Sequence, residues 1–253
     1  AGATINVYPT LGWDLLLTAP PVMHLQLKPH GALAPIRPLF VRPDVMDDKA
    51  WRGGFEAGFA DAQKNLGFSF MERVLPIVVN TDLVKEGEIK TVQDLLNPKW
   101  KGKILWGDVR DGATFGQMTP VRLKFGDEAV KRLMVDQEPA FSRDIRQMME
   151  FTIRGQYAIT NSNNRSFYQE FIQAGIGKNL KFLDIPDLSY LTLSDGLWLL
   201  DKAPHPNAAK VFANWVATRA GQESYVKFVE QNSRRLDVPV AEPVEAPKPG
   251  QSY

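Results

Sequence analysis

Cysteine is absent from all 253 residues, which excludes disulfides, thiolate nucleophiles and Cys-ligated zinc or iron–sulfur centres. Surplus charge is lacking as well. Thirty Lys and Arg stand against 29 Asp and Glu, so no net field draws the chain to nucleic acid or to an anionic membrane. No apolar run reaches the roughly 20 residues that cross a bilayer, and no basic segment followed by an apolar one opens the sequence. A secretory signal is therefore expected to be removed or absent from this chain. Histidine is scarce: His24, His30 and His205 are scattered, and none forms a metal-binding HExxH pair. The serines lack a GxSxG elbow, and neither GxxxxGK[ST] nor GxGxxG occurs, so a hydrolase triad, a P-loop and a dinucleotide site all lack an anchor. The chain reads as a non-enzymatic protein with no catalytic residues, no metal and no cofactor.

What is present is an ordinary globular composition, 44% hydrophobic and 23% charged, long enough for two modest domains. Thr4 to Tyr8 alternates like a short strand, and the prolines between Pro20 and Pro43 predict a looping connection. Phe55, Phe59 and Ala62 keep a helical spacing within Trp51 to Phe70, although glycines 53, 54, 58 and 67 weaken it. Strands are predicted at Val74 to Val79, Lys103 to Trp106, Gln156 to Thr160 and Leu193 to Leu200. Helices are predicted at Thr91 to Leu96, from near Thr114, around Val130 to Met134, and at Ile145 to Thr152 with a stop at Gly155. Further helices are expected at Phe167 to Ala174, from Pro206 to a stop at Gly221, and around Tyr225 to Val229. This alternation indicates α/β layers rather than a sandwich or a bundle. Trp13, Trp51, Trp106, Trp198 and Trp215 are expected to pack in the core or at a hinge.

Two polar loops, each between a strand and a helix, stand out. In open α/β sheets ligands gather at the carboxyl ends of strands, where helix amino termini present unpaired N–H groups. The first loop runs from Asp108 to Thr114. The second runs from Asn161 to Ser166, where Ser166 and Gln169 have capping-box spacing beside Asn163, Asn164 and Arg165. Arg165 offers a fork for a carboxylate or phosphate, and the asparagines supply neutral donors and acceptors. A solvated connecting loop explains the same residues, because Asn and Ser are common in turns.

Three stretches add a resemblance. Asn97-Pro98-Lys99-Trp100-Lys101-Gly102-Lys103-Ile104 resembles the "DPKWKGKI" signature of family 1 extracellular solute-binding proteins. Val79 to Val84 is similar to that family's "YNTDLV", and Ala203 to Lys210 to its "APHPNAAK", in the same order and at similar separation. The likeness runs from about Gly12 to Val238 and is nearest the ferric-iron-type branch, with its relatives for organic anions and phosphorylated compounds.

The resemblance implies an α/β, bilobed periplasmic-binding-protein-like fold with hinge strands and a ligand in the interlobe cleft. It implies an amino-terminal lobe from 1–75 completed by 195–235 and a carboxy-terminal lobe from 76–194; the prolines and weak apolar periodicity of the final residues predict an extended tail from 236–253. Family members carry further strand and helix units ahead of the region matched by Ala1 to Leu17, so the first lobe is expected to be incomplete. Ferric-binding members present adjacent tyrosines after the strand equivalent to Gln156 to Thr160, where this chain has Asn163, Asn164 and Arg165. Amides and a guanidinium do not replace phenolate charge on Fe(III), and Tyr168 alone is a weak substitute. The expected ligand site is therefore Asp111, Gly112, Ala113, Thr114, Asn163, Asn164, Arg165 and Tyr168, holding a small organic anion, with ferric iron as the alternative. The expected protein is a periplasmic monomer that hands its solute to an ABC permease in the inner membrane and does not bind nucleic acid. A cytoplasmic ligand-sensing effector domain sharing the fold is the other reading.

Overall fold

The computed structural model describes residues 12–18, 20, 23–59, 61–74, 77–110, 112–161, 166–189 and 191–249. In chain order the strands are β1 (Leu15–Thr18), β2 (Leu33–Ala34), β3 (Phe68–Ser69), β4 (Met71–Val74), β5 (Ile77–Asn80) and β6 (Ile104–Gly107). They continue with β7 (Ala140–Ser142), β8 (Ile159–Asn161), β9 (Leu180–Leu183), β10 (Leu191–Leu193), β11 (Gly196–Leu200) and β12 (Asn232–Ser233). The α-helices are α1 (Val92–Leu95), α2 (Gly112–Lys131), α3 (Ile145–Ile153), α4 (Ser166–Gln173), α5 (Pro206–Val216) and α6 (Arg219–Val229). The strand expected at Thr4 to Tyr8 lies outside the described residues.

The chain divides into two compact units, one from Ala1–Arg73 with Thr192–Ala246 and the other from Val74–Leu191 with Pro247–Tyr253. In the first, β11 pairs antiparallel with β1, β2 and β3. A second sheet runs in the order β10-β4-β12. The core of this unit is largely aromatic: Phe40, Trp51, Phe55, Phe59 and Phe68 are all buried, and the Phe55 and Phe68 rings lie 4.9 Å apart. The Trp51 to Phe70 stretch is not the α-helix its spacing suggests. Gly53 and Gly54 take φ of 74° and 87°, and the Asp48 and Asp61 carboxylates accept from Phe55 N (2.9 Å) and Leu66 N (2.6 Å). Backbone groups satisfied by side chains in this way need no helix ladder.

Gly221 does not end a helix either. The break falls earlier, at Ala217 and Thr218, where the Thr218 hydroxyl accepts from Gly221 N at 3.1 Å and caps α6. A Cβ on Gly221 would stand 2.1 Å from Trp215 O, so this glycine serves close backbone approach. The apolar run at Leu193 to Leu200 is likewise two strands, β10 and β11, separated at Ser194 and Asp195. Beyond β12, the Asn232 amide clasps the chain by accepting from Ala241 N and Glu242 N and donating to Glu242 O at 2.8 Å.

The other unit carries a five-stranded sheet in the order β7-β6-β8-β5-β9. β6 runs parallel to β7 and β8, and β5 runs antiparallel to β8 and β9. The strands explain their own composition. Ile77, Val79, Ile104, Trp106 and Ile159 face one core with residues of α1 and α2, whereas Val78 and Leu105 face a second core with residues of α3 and α4. Alternate residues thus bury on opposite faces, and a sheet covered on both sides needs continuous apolar strands such as Ile77-Val78-Val79. α1 opens on a complete capping box between Thr91 and Asp94.

Candidate functional site

β7, β6 and β8 are mutually parallel, so their carboxyl ends open on the same edge of the sheet. Asn161 ends β8 and is buried. Its Oδ1 accepts from Gly107 N at 2.8 Å, tying the ends of β8 and β6 together. Its amide nitrogen donates to Gln117 Oε1 at 2.6 Å and to Thr114 Oγ1 at 3.4 Å, both on the first turns of α2. A single buried asparagine therefore sets where the amino end of α2 stands against the strand ends.

Asp108 follows β6, with its N–H donating to Ser142 O at 3.0 Å beside the end of β7. Its carboxylate is mostly covered and takes two guanidinium groups. Arg110 Nε donates to Oδ1 at 2.8 Å while Arg110 Nη2 bonds Oδ2, and Arg143 Nε donates to Oδ2 at 3.0 Å. The bond from Arg110 is the main force holding the Asp108 carboxyl well below the usual carboxylate range. Both arginine side chains are mainly exposed, 72% and 64%, so their outer N–H groups face solvent. Within the group of Asp108, Arg110 and Arg143, two cations on one carboxylate leave one positive charge uncompensated, close to the amino end of a helix whose first N–H groups have no intrahelical partner.

Of the expected ligand residues, Gly112, Ala113 and Thr114 form the first turn of α2, with Thr114 fully buried against Asn161. Asp111, Asn163, Asn164 and Arg165 lie outside the described residues. Tyr168 is placed in α4, fully buried in the core of α3, α4 and the sheet, its ring 4.6 Å from that of Phe182. Arg143, Gln117 and the linking role of Asn161 were not signalled by the sequence. Arg143 follows β7, a three-residue strand too short and too exposed to show a period. Among the described residues no group of three His, Asp or Glu side chains is arranged to hold a metal ion, and no helix is long and apolar enough to cross a membrane.

The sequence pattern of the bacterial extracellular solute-binding proteins matches residues 45–228. The chain belongs to that family. No curated protein sequence matches it significantly. Among solved structures, this solute-binding protein is similar to iron-bound HitA from Pseudomonas aeruginosa, at 18% identity and a TM-score of 0.71, over 91% of this chain and 72% of that one. Apo FutA2 from Synechocystis PCC6803 is 17% identical with a TM-score of 0.70, over 93% and 75%. AfuA from Actinobacillus pleuropneumoniae, with fructose-6-phosphate bound, is 20% identical with a TM-score of 0.69, over 91% and 72%. Likeness at these identities establishes the bilobed α/β periplasmic-binding-protein fold.

Proposed function

We propose that this protein is the periplasmic, solute-capturing component of an ABC importer, that it turns nothing over, and that its solute is a small organic anion bearing a carboxylate or phosphate. The observation that carries the reading is the Asp108 carboxylate shared by Arg110 and Arg143 at the carboxyl ends of β6 and β7. One anion between two cations orients both forks and leaves charge for a second anion. The solute's acidic group is assigned to Arg143, Arg110 and Arg165. Asp111, the backbone N–H groups of Gly112 and Ala113, and the polar groups of Thr114, Asn163 and Asn164 complete this unit's share of the site. Tyr168 is assigned an indirect part, its buried ring holding α4 so that the helix start stays beside the strand ends.

That a related fold holds fructose-6-phosphate in AfuA supports an anionic solute, while iron in HitA keeps Fe(III) in the test. Thermal melts against a panel of hexose phosphates, di- and tricarboxylates and ferric citrate decide between them. A binder present at 100 times its Kd stabilises the folded state by about 2.7 kcal/mol. The reading predicts such a shift with at least one organic anion. Stabilisation by iron alone, accompanied by a tyrosinate-to-iron absorption band, contradicts it.

A further inference from the structure

Helix α5 is apolar on two sides. Ala209, Ala213 and Val216 bury in the core of its unit, yet Val211, Phe212 and Trp215 on the outward side are 70%, 42% and 49% exposed. The Phe212 and Trp215 rings lie 5.7 Å apart, and Val211 and Trp215, with Val41, also exposed, border a groove of about 690 Å³ between α5, the start of α6 and the segment around Val41 to Asp44. An outward helix face of this composition has no reason to be apolar unless something covers it.

The groove is preformed. Asn214 pins the Val41 segment to α5, accepting from Val41 N (3.0 Å) and Arg42 N (3.2 Å) and donating to Leu39 O (2.7 Å) and Lys210 O (2.8 Å). Those four bonds use the whole capacity of the amide, so its floor offers no polar handle to a sugar-like ligand. The rim charges are mostly spent as well. Arg42 is bound twice by Asp44, and Arg219 is bound by Glu223 at 2.7 Å. Lys210 is the remaining rim cation, and among the described residues no carboxylate pairs with it. Small ligands normally bury 70–90% of their surface, which a groove this open does not provide, whereas an amphipathic helix needs only an apolar trough and a matching charge.

We propose that this groove docks a helix of a partner protein that presents an apolar face to Val41, Val211 and Trp215 and a carboxylate to Lys210. The docking does not depend on the identity of the solute. It is tested in the organism that makes the protein, by placing a photoreactive benzoylphenylalanine at Val211 in the full chain and, as a control, at Lys202. The expected result is a cross-link from position 211, absent from 202, that maps to a helix with an apolar face and an acidic residue. Lys210→Glu should reduce its yield at least fivefold without moving the melting temperature, and reversing the partner's acid to Lys should restore it. Adducts with lipid or with a second copy of this chain, adducts outside a helix, no adduct above the control, or a yield indifferent to Lys210→Glu would each overturn the proposal.

Discussion

Asp108 and Glu72 are both mostly covered carboxylates bound by arginine, and they titrate in opposite directions. Asp108 accepts the Arg110 fork and Arg143, and the charged form wins. Its contribution to stability is present above the ordinary carboxylate range and is lost as pH falls through and below that range. Asp108→Asn should therefore flatten the acid limb of a stability-against-pH curve below about pH 4, read by thermal melts. Glu72 sits in β4 with Arg52 Nε at 2.7 Å, but burial outweighs that bond and raises its carboxyl above the ordinary value. For a raised group the contribution is complete below the ordinary Glu value of about 4.3 and is lost as pH climbs through the raised one. Wild type should lose stability over that rise, whereas Glu72→Gln should not; parallel curves for the two proteins would contradict the assignment. Glu72's partner lies 20 residues away and is not legible in sequence; Arg110 is a near neighbour of Asp108, but the second guanidinium, from Arg143, comes from 35 residues away.

Elements whose signal is local were legible. Ile77–Asn80, Ile104–Gly107 and Val92–Leu95 overlap the strands expected at Val74 to Val79 and Lys103 to Trp106 and the helix expected at Thr91 to Leu96. β7 was missed because three half-exposed residues carry no period, and its absence from the reading hid Arg143. Gly221 was misread because a helix-stopping glycine and a glycine of close approach look alike until the neighbouring backbone is placed. Of the five tryptophans expected inside, Trp51, Trp106 and Trp198 are buried, whereas Trp13 and Trp215 are exposed at roughly half their surface. Trp215 follows the helical spacing of a core face, and periodicity alone does not distinguish a face that meets the core from one that meets a partner. The Asn161 link between β6, β8 and α2 gives this scale its prediction. Asn161→Ala leaves Gly107 N without its side-chain acceptor and removes the tie to α2, at a cost of about 2 kcal/mol in denaturant unfolding. Solute affinity should fall with it. Unchanged stability would mean that the strand ends and the helix are held by other contacts.

At the scale of the whole molecule, the motif around Asn97 to Ile104 pointed to a solute-binding family, and the family match over residues 45–228 rests on much the same length of chain. Motif resemblance reaches the fold because the fold depends on many residues at once; the solute depends on a few loop side chains that vary independently of it. On the proposed reading, what decides the solute is the charge beside β6 and β7 together with Arg165. The most direct test is calorimetric titration of the tightest organic anion from the panel into wild type, Arg143→Ala and Arg165→Ala, after melts confirm that all three are folded. Truncating one partner of a charge pair that the bound solute buries costs about 2–5 kcal/mol, so the account predicts at least a thirtyfold loss of affinity in one arginine variant and a measurable loss in the other. Equal affinity in all three proteins, or saturable binding of Fe(III) with none of any organic anion, would contradict it.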